Sequence, residues 1–157
     1  MALDHIFKDT DYIQLHGWAK VIKHLKEQFD QWAIDRLAKK GYTDFKMTYM
    51  PVIMNIDMTG TNNNELANRA NVTKQAMSKV INELKKSGYI SSKTDPTDKR
   101  STIFSLTSKG KSFVMSARAS VAQLMNEYRK EMGKKNYDDL LQKLVSIIEY
   151  NDKKMNG

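Results

Sequence analysis

Apolar residues recur along this chain with helical spacing near both ends, and the pattern breaks once in between. From 11 to 40, Leu15, Trp18, Ile22, Leu25, Phe29 and Trp32 follow one another at spacings of 3, 4, 3, 4 and 3. That single seam predicts one long helix packed against other helices, with Gly41 as its stop. A second helix is expected from Thr48, as N-cap, to about Asp57. Met47 and Val52 stand as a hydrophobic staple, and Pro51 falls in the first turn, where a missing N–H costs no intrahelical bond.

Asn62 and Glu65 have capping-box spacing, with Asn in place of the usual Ser or Thr, and open a short helix to about Ala70. Asn71-Val72-Thr73 follows: Asn tolerates the left-handed backbone of a tight turn, and Thr73 suits the cap of the next helix. In that helix Met77, Val80, Ile81 and Leu84 recur at i, i+3, i+4 and i+7, facing a core with Ala76 beside them. Short helix, tight turn and longer helix make a helix-turn-helix.

Tyr89 to Thr94 and Ser101 to Leu106 are rich in Ile, Phe, Tyr, Thr and Ser and flank the turn-forming DPTDKR, which reads as a β-hairpin with a charged tip, a wing. Thr107 then caps a helix through about Met132, stopped near Gly133. Asn136 caps a last helix whose apolar face is Leu140, Leu141, Leu144, Val145 and Ile148. The expected fold is mainly α with a small β-hairpin wing. A winged helix-turn-helix region spans 46–106, and helical regions at 1–45 and 107–157 flank it.

Composition narrows the partner. With 157 residues and 40% hydrophobic content, the chain buries a sizeable core as one domain. No apolar run approaches the roughly 20 residues of a membrane helix, and the opening MALDHIFKD carries acids where a signal peptide carries base, so the expectation is a cytoplasmic protein. The absence of cysteine excludes disulfides, thiolate metal sites and thiol redox switching. The net charge of +8 is unevenly spread: residues 61–111 hold ten Lys/Arg against four Asp/Glu, residues 1–60 eight against eight, and residues 112–157 eight against six. Excess positive charge gathered in the helix-turn-helix and hairpin points to a polyanion.

The outer face of the longer helix carries Gln75, Ser78, Lys79 and Asn82 at i, i+3, i+4 and i+7, with Lys74 at its start. Gln and Asn pair bidentately with adenine, Lys donates to guanine, and Ser serves either role. The helix start offers N–H groups to a phosphate, and Thr73 adds its hydroxyl. At the hairpin tip, Lys99 and Arg100 suit a minor groove, with Asp98 placed to orient Arg100 by a charge-assisted pair. The bland alternatives are a solvated helix face and a turn merely shaped by Asp and Pro. The preceding helix, the turn, the hairpin and the localised charge together favour DNA recognition.

The run from Asn64 to Gly110, NELANRANVTKQAMSKVINELKKSGYISSKTDPTDKRSTIFSLTSKG, resembles the winged helix-turn-helix of the MarR (multiple antibiotic resistance regulator) family. The resemblance rests on ELA at 65–67, TKQAM at 73–77, ELKKSGYI at 83–90, DPTDKR at 95–100 and LTSKG at 106–110, with GYTDF at 41–45 matching in pattern. It implies a homodimer joined through the first helix and the last two. Each winged region then sets its reading helix, Thr73 to Ser87, in a major groove and its wing, with Arg100 and Asp98, in the adjacent minor groove. Asn71 departs from the Gly frequent in such turns. The first helix, on its own pattern, has more apolar surface than a winged domain of this size covers.

Family members often repress transcription and release DNA when a small aromatic or phenolic effector binds. Candidate lining residues here are His16, Trp18, Tyr49, Met50 and Met54, with Met58 continuing the Met stripe; Met lines adaptable cavities, and such a stripe equally serves a plain core. His24 and Glu27 at i, i+3 supply only half a metal site, so no metal or other cofactor is expected. All three histidines lie within the first 24 residues, and no phosphate-cradling Gly-rich loop or nucleophile–base pair is present, so an enzyme is not expected. The reading is a sequence-specific regulator of double-stranded DNA, acting as a homodimeric, ligand-responsive repressor on a pseudo-palindromic operator. Its rival is a winged domain that meets an acidic protein partner.

Overall fold

Capping and tight glycine-marked turns divide the chain where the residue pattern places them. The computed structural model describes residues 10–155, with side chains from Gly17 onward. Helix α1 (Thr10–Ala38) is followed by a 3-10 turn (Met47–Tyr49), α2 (Met50–Ile53), β1 (Thr61–Asn62), α3 (Asn63–Ala70), α4 (Lys74–Lys86), β2 (Ile90–Thr94), β3 (Thr102–Leu106), α5 (Ser108–Met132) and α6 (Lys134–Met155). Among the described residues no helix is long and apolar enough to cross a membrane. The chain forms two compact units that part after Ala117, within α5.

The helix-turn-helix follows its predicted chemistry closely. Asn62 accepts the Glu65 N–H at 2.9 Å, Thr73 accepts the Ala76 N–H at 3.2 Å, and Asn71 between them is left-handed at φ 47°, ψ 47°. Helix α4 ends at Gly88, whose φ of 71° lets Tyr89 N–H reach back to Leu84 C=O at 2.9 Å.

Three expectations are corrected. Thr48 does not cap a helix running to Asp57: it lies inside the 3-10 turn, and α2 is a four-residue helix with Pro51 near its start. Beyond Ile53 the bonds tighten to i→i+3, from Asn55 N–H to Val52 and from Ile56 N–H to Ile53. Val52, Ile53 and Ile56 of this segment are buried. Asn136 does not cap α6, which begins two residues earlier; its amide donates to Met132 C=O. The wing also has a third strand, because β1 pairs antiparallel with β3, giving the order β1-β3-β2.

The core of the first unit gathers one residue set from nearly every element between Leu37 and Ala117. At its centre Phe45 stacks on Phe113 (centroids 4.0 Å apart, 26° between planes), and Tyr89 meets Phe113 edge-on at 5.4 Å. Helix α5 approaches this cluster so closely that a Cβ on Gly110 would lie 2.0 Å from the Tyr89 carbonyl oxygen. The Thr107 hydroxyl secures the same junction, donating to Gly88 C=O at 2.6 Å and accepting the Gly110 N–H at 3.1 Å. In contrast, Trp18, Ile22 and Leu25 of α1 and Leu140, Leu141, Val145 and Ile148 of α6 are exposed.

Candidate nucleic-acid interface

Helix α4 turns Met77, Ile81 and Leu84 into the core, with Val80 half-buried against it. Lys74, Gln75, Ser78, Lys79 and Asn82 are exposed on the other side, and Thr73 stands exposed at the cap. The five side chains thus share one solvent face, in the register the spacing predicted. Ser78 already donates its hydroxyl proton to Lys74 C=O at 3.0 Å, which leaves its lone pairs free to accept from a base amino group. Ala76 is exposed rather than turned toward the core. It lines a groove of about 230 Å³ with Lys46, Thr48, Lys79, Val80 and Glu83.

The wing tip is a caged turn. Asp95 accepts the Thr97 N–H at 2.8 Å and the Thr97 hydroxyl at 2.6 Å, and these bonds hold its carboxyl below the usual carboxylate range. Asp98 accepts the backbone N–H of Arg100 at 2.9 Å, so it shapes the turn where a pair with the guanidinium was expected. The Arg100 side chain stays exposed, as do Asp98 and Lys99. The 98–100 segment therefore presents its cations on an ordered backbone.

Charge pairing sharpens the distribution seen in the sequence. Arg69 is engaged by Asp57 and Glu65, Lys109 by Asp44, and Lys46 by Glu83. Among the described residues no ion pair engages Lys74, Lys99 or Arg100, and these lie on α4 and the wing. Uncompensated positive charge of this kind suits a polyanionic partner.

Two polar clusters behind this face were not legible in the sequence. Glu83, half-buried on α4, accepts Lys46 Nζ at 2.8 Å and the Tyr49 hydroxyl at 2.7 Å, and the two donors hold its carboxyl below the usual range. Asp44 accepts the Tyr89 hydroxyl at 2.6 Å and Lys109 Nζ at 2.9 Å, with its carboxyl lowered chiefly by Tyr89 and then by Lys109. Burial, then Asp44, push the Tyr89 hydroxyl well above its ordinary value. Lys109 Nζ also sits 4.1 Å from the Tyr89 ring centroid, so GYTDF, SGYI and LTSKG meet at one node.

The candidate effector residues are dispersed in character. Tyr49 is buried, with its ring edge-on to Phe45 and its hydroxyl committed to Glu83. Met50 and Met54 are half-buried against the core, whereas Met58 and Trp18 are exposed. The side chain of His16 lies outside the described residues. Tyr49 instead borders a groove of about 530 Å³ with Asp44, Lys46, Glu83, Lys86 and Ser87.

Comparison with known proteins converges on this same region. Residues 43–101 match the model of the MarR family. No curated protein matches the chain. Among solved structures, a MarR family transcription regulator is similar at TM-score 0.78 and 15% identity, over 99% of each chain. A MarR transcriptional regulator from Methanosarcina mazei is similar at 0.70 and 19%, over 86% of this chain and 96% of that one. The transcriptional regulator BldR from Sulfolobus solfataricus is similar at 0.65 and 21%, over 90% and 99%. These likenesses concern the fold, and the segment that matches the MarR family model spans α4 and the wing tip: the chain has a winged helix-turn-helix fold similar to that of MarR family regulators.

Proposed function

We propose that this chain is a DNA-binding transcription regulator of the MarR family and works as a homodimeric repressor that reads a pseudo-palindromic operator. The observation that supports this most is the exposed stripe of Lys74, Gln75, Ser78, Lys79 and Asn82, opposite a buried stripe on one helix and accompanied by the unpaired Arg100 of the wing. Helix α4 enters the major groove, and Lys99 and Arg100 enter the adjacent minor groove. The apolar faces of α1 and α6 meet their counterparts in a second copy, which sets two reading helices on half-sites about 10 base pairs, or a multiple of that, apart. A small aromatic or phenolic effector acting through the region of Trp18, Tyr49, Met50 and Met54 relieves repression. The protein works in the cytoplasm and catalyses no reaction.

Selection of duplexes from a random library, followed by binding across a salt series, tests this reading. The expected result is a specific complex whose affinity falls steeply with salt. Sequence-independent or absent duplex binding at physiological salt would support the acidic-protein partner instead.

A further inference from the structure

The wing has to be held at a set distance from α4 if one protomer is to occupy two adjacent grooves. Strands β2 and β3 pair from Ile90↔Leu106 to Thr94↔Thr102, and the base of this hairpin is anchored by Ile90, Phe104 and Leu106 in the core shared with α3 and α4. Further toward the tip the attachment is β1, only two residues long, paired as Thr61↔Phe104 and Asn62↔Ile103. The next step of that ladder would bring residue 63 opposite Thr102, but the backbone has already turned into α3.

The Asn63 side chain completes the step. Its Oδ1 accepts the backbone N–H of Thr102 at 3.1 Å and the hydroxyl of Ser101 at 2.9 Å. A backbone N–H only donates, so the amide atom facing it must be the oxygen. Ser101 is buried and directly follows Arg100. Its backbone also closes the tip, with Asp95 N–H donating to Ser101 C=O at 3.0 Å and Ser101 N–H donating to Asp98 C=O at 2.8 Å. One side-chain oxygen on the first residue of α3 therefore grips the root of the turn that carries Arg100.

We propose that Asn63 is a positioning residue for DNA binding: it locks the wing root to the helix-turn-helix, so that Arg100 reaches the minor groove while α4 occupies the major groove. This rests on the DNA-reading function proposed above. Asn63 touches no nucleic acid in this scheme. Its removal leaves the hairpin formed but hinged, and the Arg100 contact is then offset by the ordering it demands.

The test is a double-mutant cycle on a duplex selected by the wild-type protein, with thermal unfolding used to confirm that each variant is folded. In the wild type, Arg100→Ala should weaken binding roughly tenfold, as expected for a charge-assisted contact. In an Asn63→Ala background the same change should alter affinity by less than about twofold. Hydroxyl-radical protection of the wing's minor groove should fade there, while the base preference read by Gln75 persists.

Asn63→Asp keeps the accepting oxygen, so Arg100→Ala should regain its effect in that background even if the added charge lowers affinity throughout. An Arg100 effect of equal size in all three backgrounds overturns the role of Asn63 while leaving the DNA-reading function intact. An Arg100→Ala change without effect in the wild type overturns it too, since no wing contact remains to be positioned. Absence of any specific duplex overturns the function itself and this inference with it.

Discussion

The winged core and the outward faces of α1 and α6 are built from the same kinds of residue, yet they meet opposite surroundings. Val52, Ile53, Leu66, Leu84 and Phe113 are 0% exposed, whereas Trp18, Leu25 and Ile148 are 56–58% exposed. Apolar residues at helical spacing occur in both, so such spacing alone does not say what a helix packs against. The winged core closes on itself within one chain, while these residues of α1 and α6 stay exposed, and the dimer proposed above would cover them.

The largest effect is expected on the buried side. Phe113→Ala removes the ring on which Phe45, Tyr42 and Tyr89 converge. It should cost about 3–5 kcal/mol, a large share of typical domain stability, measured as a lower urea midpoint. A loss below ~1 kcal/mol would show that this core does not carry the unit.

Leu25→Ala probes the exposed side. Burying a Leu against a second copy is worth about 1.5–3 kcal/mol, so dimer dissociation measured by sedimentation equilibrium should rise roughly ten- to a hundredfold. An unchanged dissociation constant, or a monomeric wild type, would remove α1 from the interface.

Gln75→Ala tests the polar stripe that the buried stripe of α4 holds outward. It should relax preference at one or two positions per half-site by about 1–3 kcal/mol, leaving other positions unchanged. A uniform loss at every sequence would mean that the helix does not read bases there.

Acidification gives the smallest expected effect. The Asp44 carboxyl is lowered in the folded state relative to its ordinary 3.8, first by Tyr89 and then by Lys109. A lowered folded value contributes stability that is present above the unfolded pKa and is lost as pH falls through the folded one. Unfolding midpoints should therefore hold from neutral pH to about pH 5 and decline below it, and Asp44→Asn should flatten that decline. An identical acid slope in the variant would exclude Asp44 as a contributor.

The legible parts of the fold were those governed by neighbours in sequence. The cap at Asn62, the left-handed Asn71, the Thr73 cap and the buried face of α4 each depend on residues no more than a few positions apart, and they stand as the pattern placed them. The helix expected from Thr48 to Asp57 did not form as one element: a 3-10 turn leads into the four-residue α2, and the bonds beyond it are i→i+3. The pair expected between Asp98 and Arg100 side chains gave way to an Asx turn, in which the same carboxylate takes the nearer backbone N–H. Neither β1 nor the role of Asn63 was legible, since both depend on a strand about 40 positions away.

The sequence by itself determined the helix-turn-helix, the wing and the sign of the charge they present, because capping, turn preference and amphipathic period are local physics. Tertiary structure decided which cations stay unpaired, how the wing is moored, and why Gly110 must lack a side chain beside the Tyr89 carbonyl. Those outcomes depend on atoms brought within hydrogen-bonding or contact distance by folding, and no spacing along one chain encodes that distance.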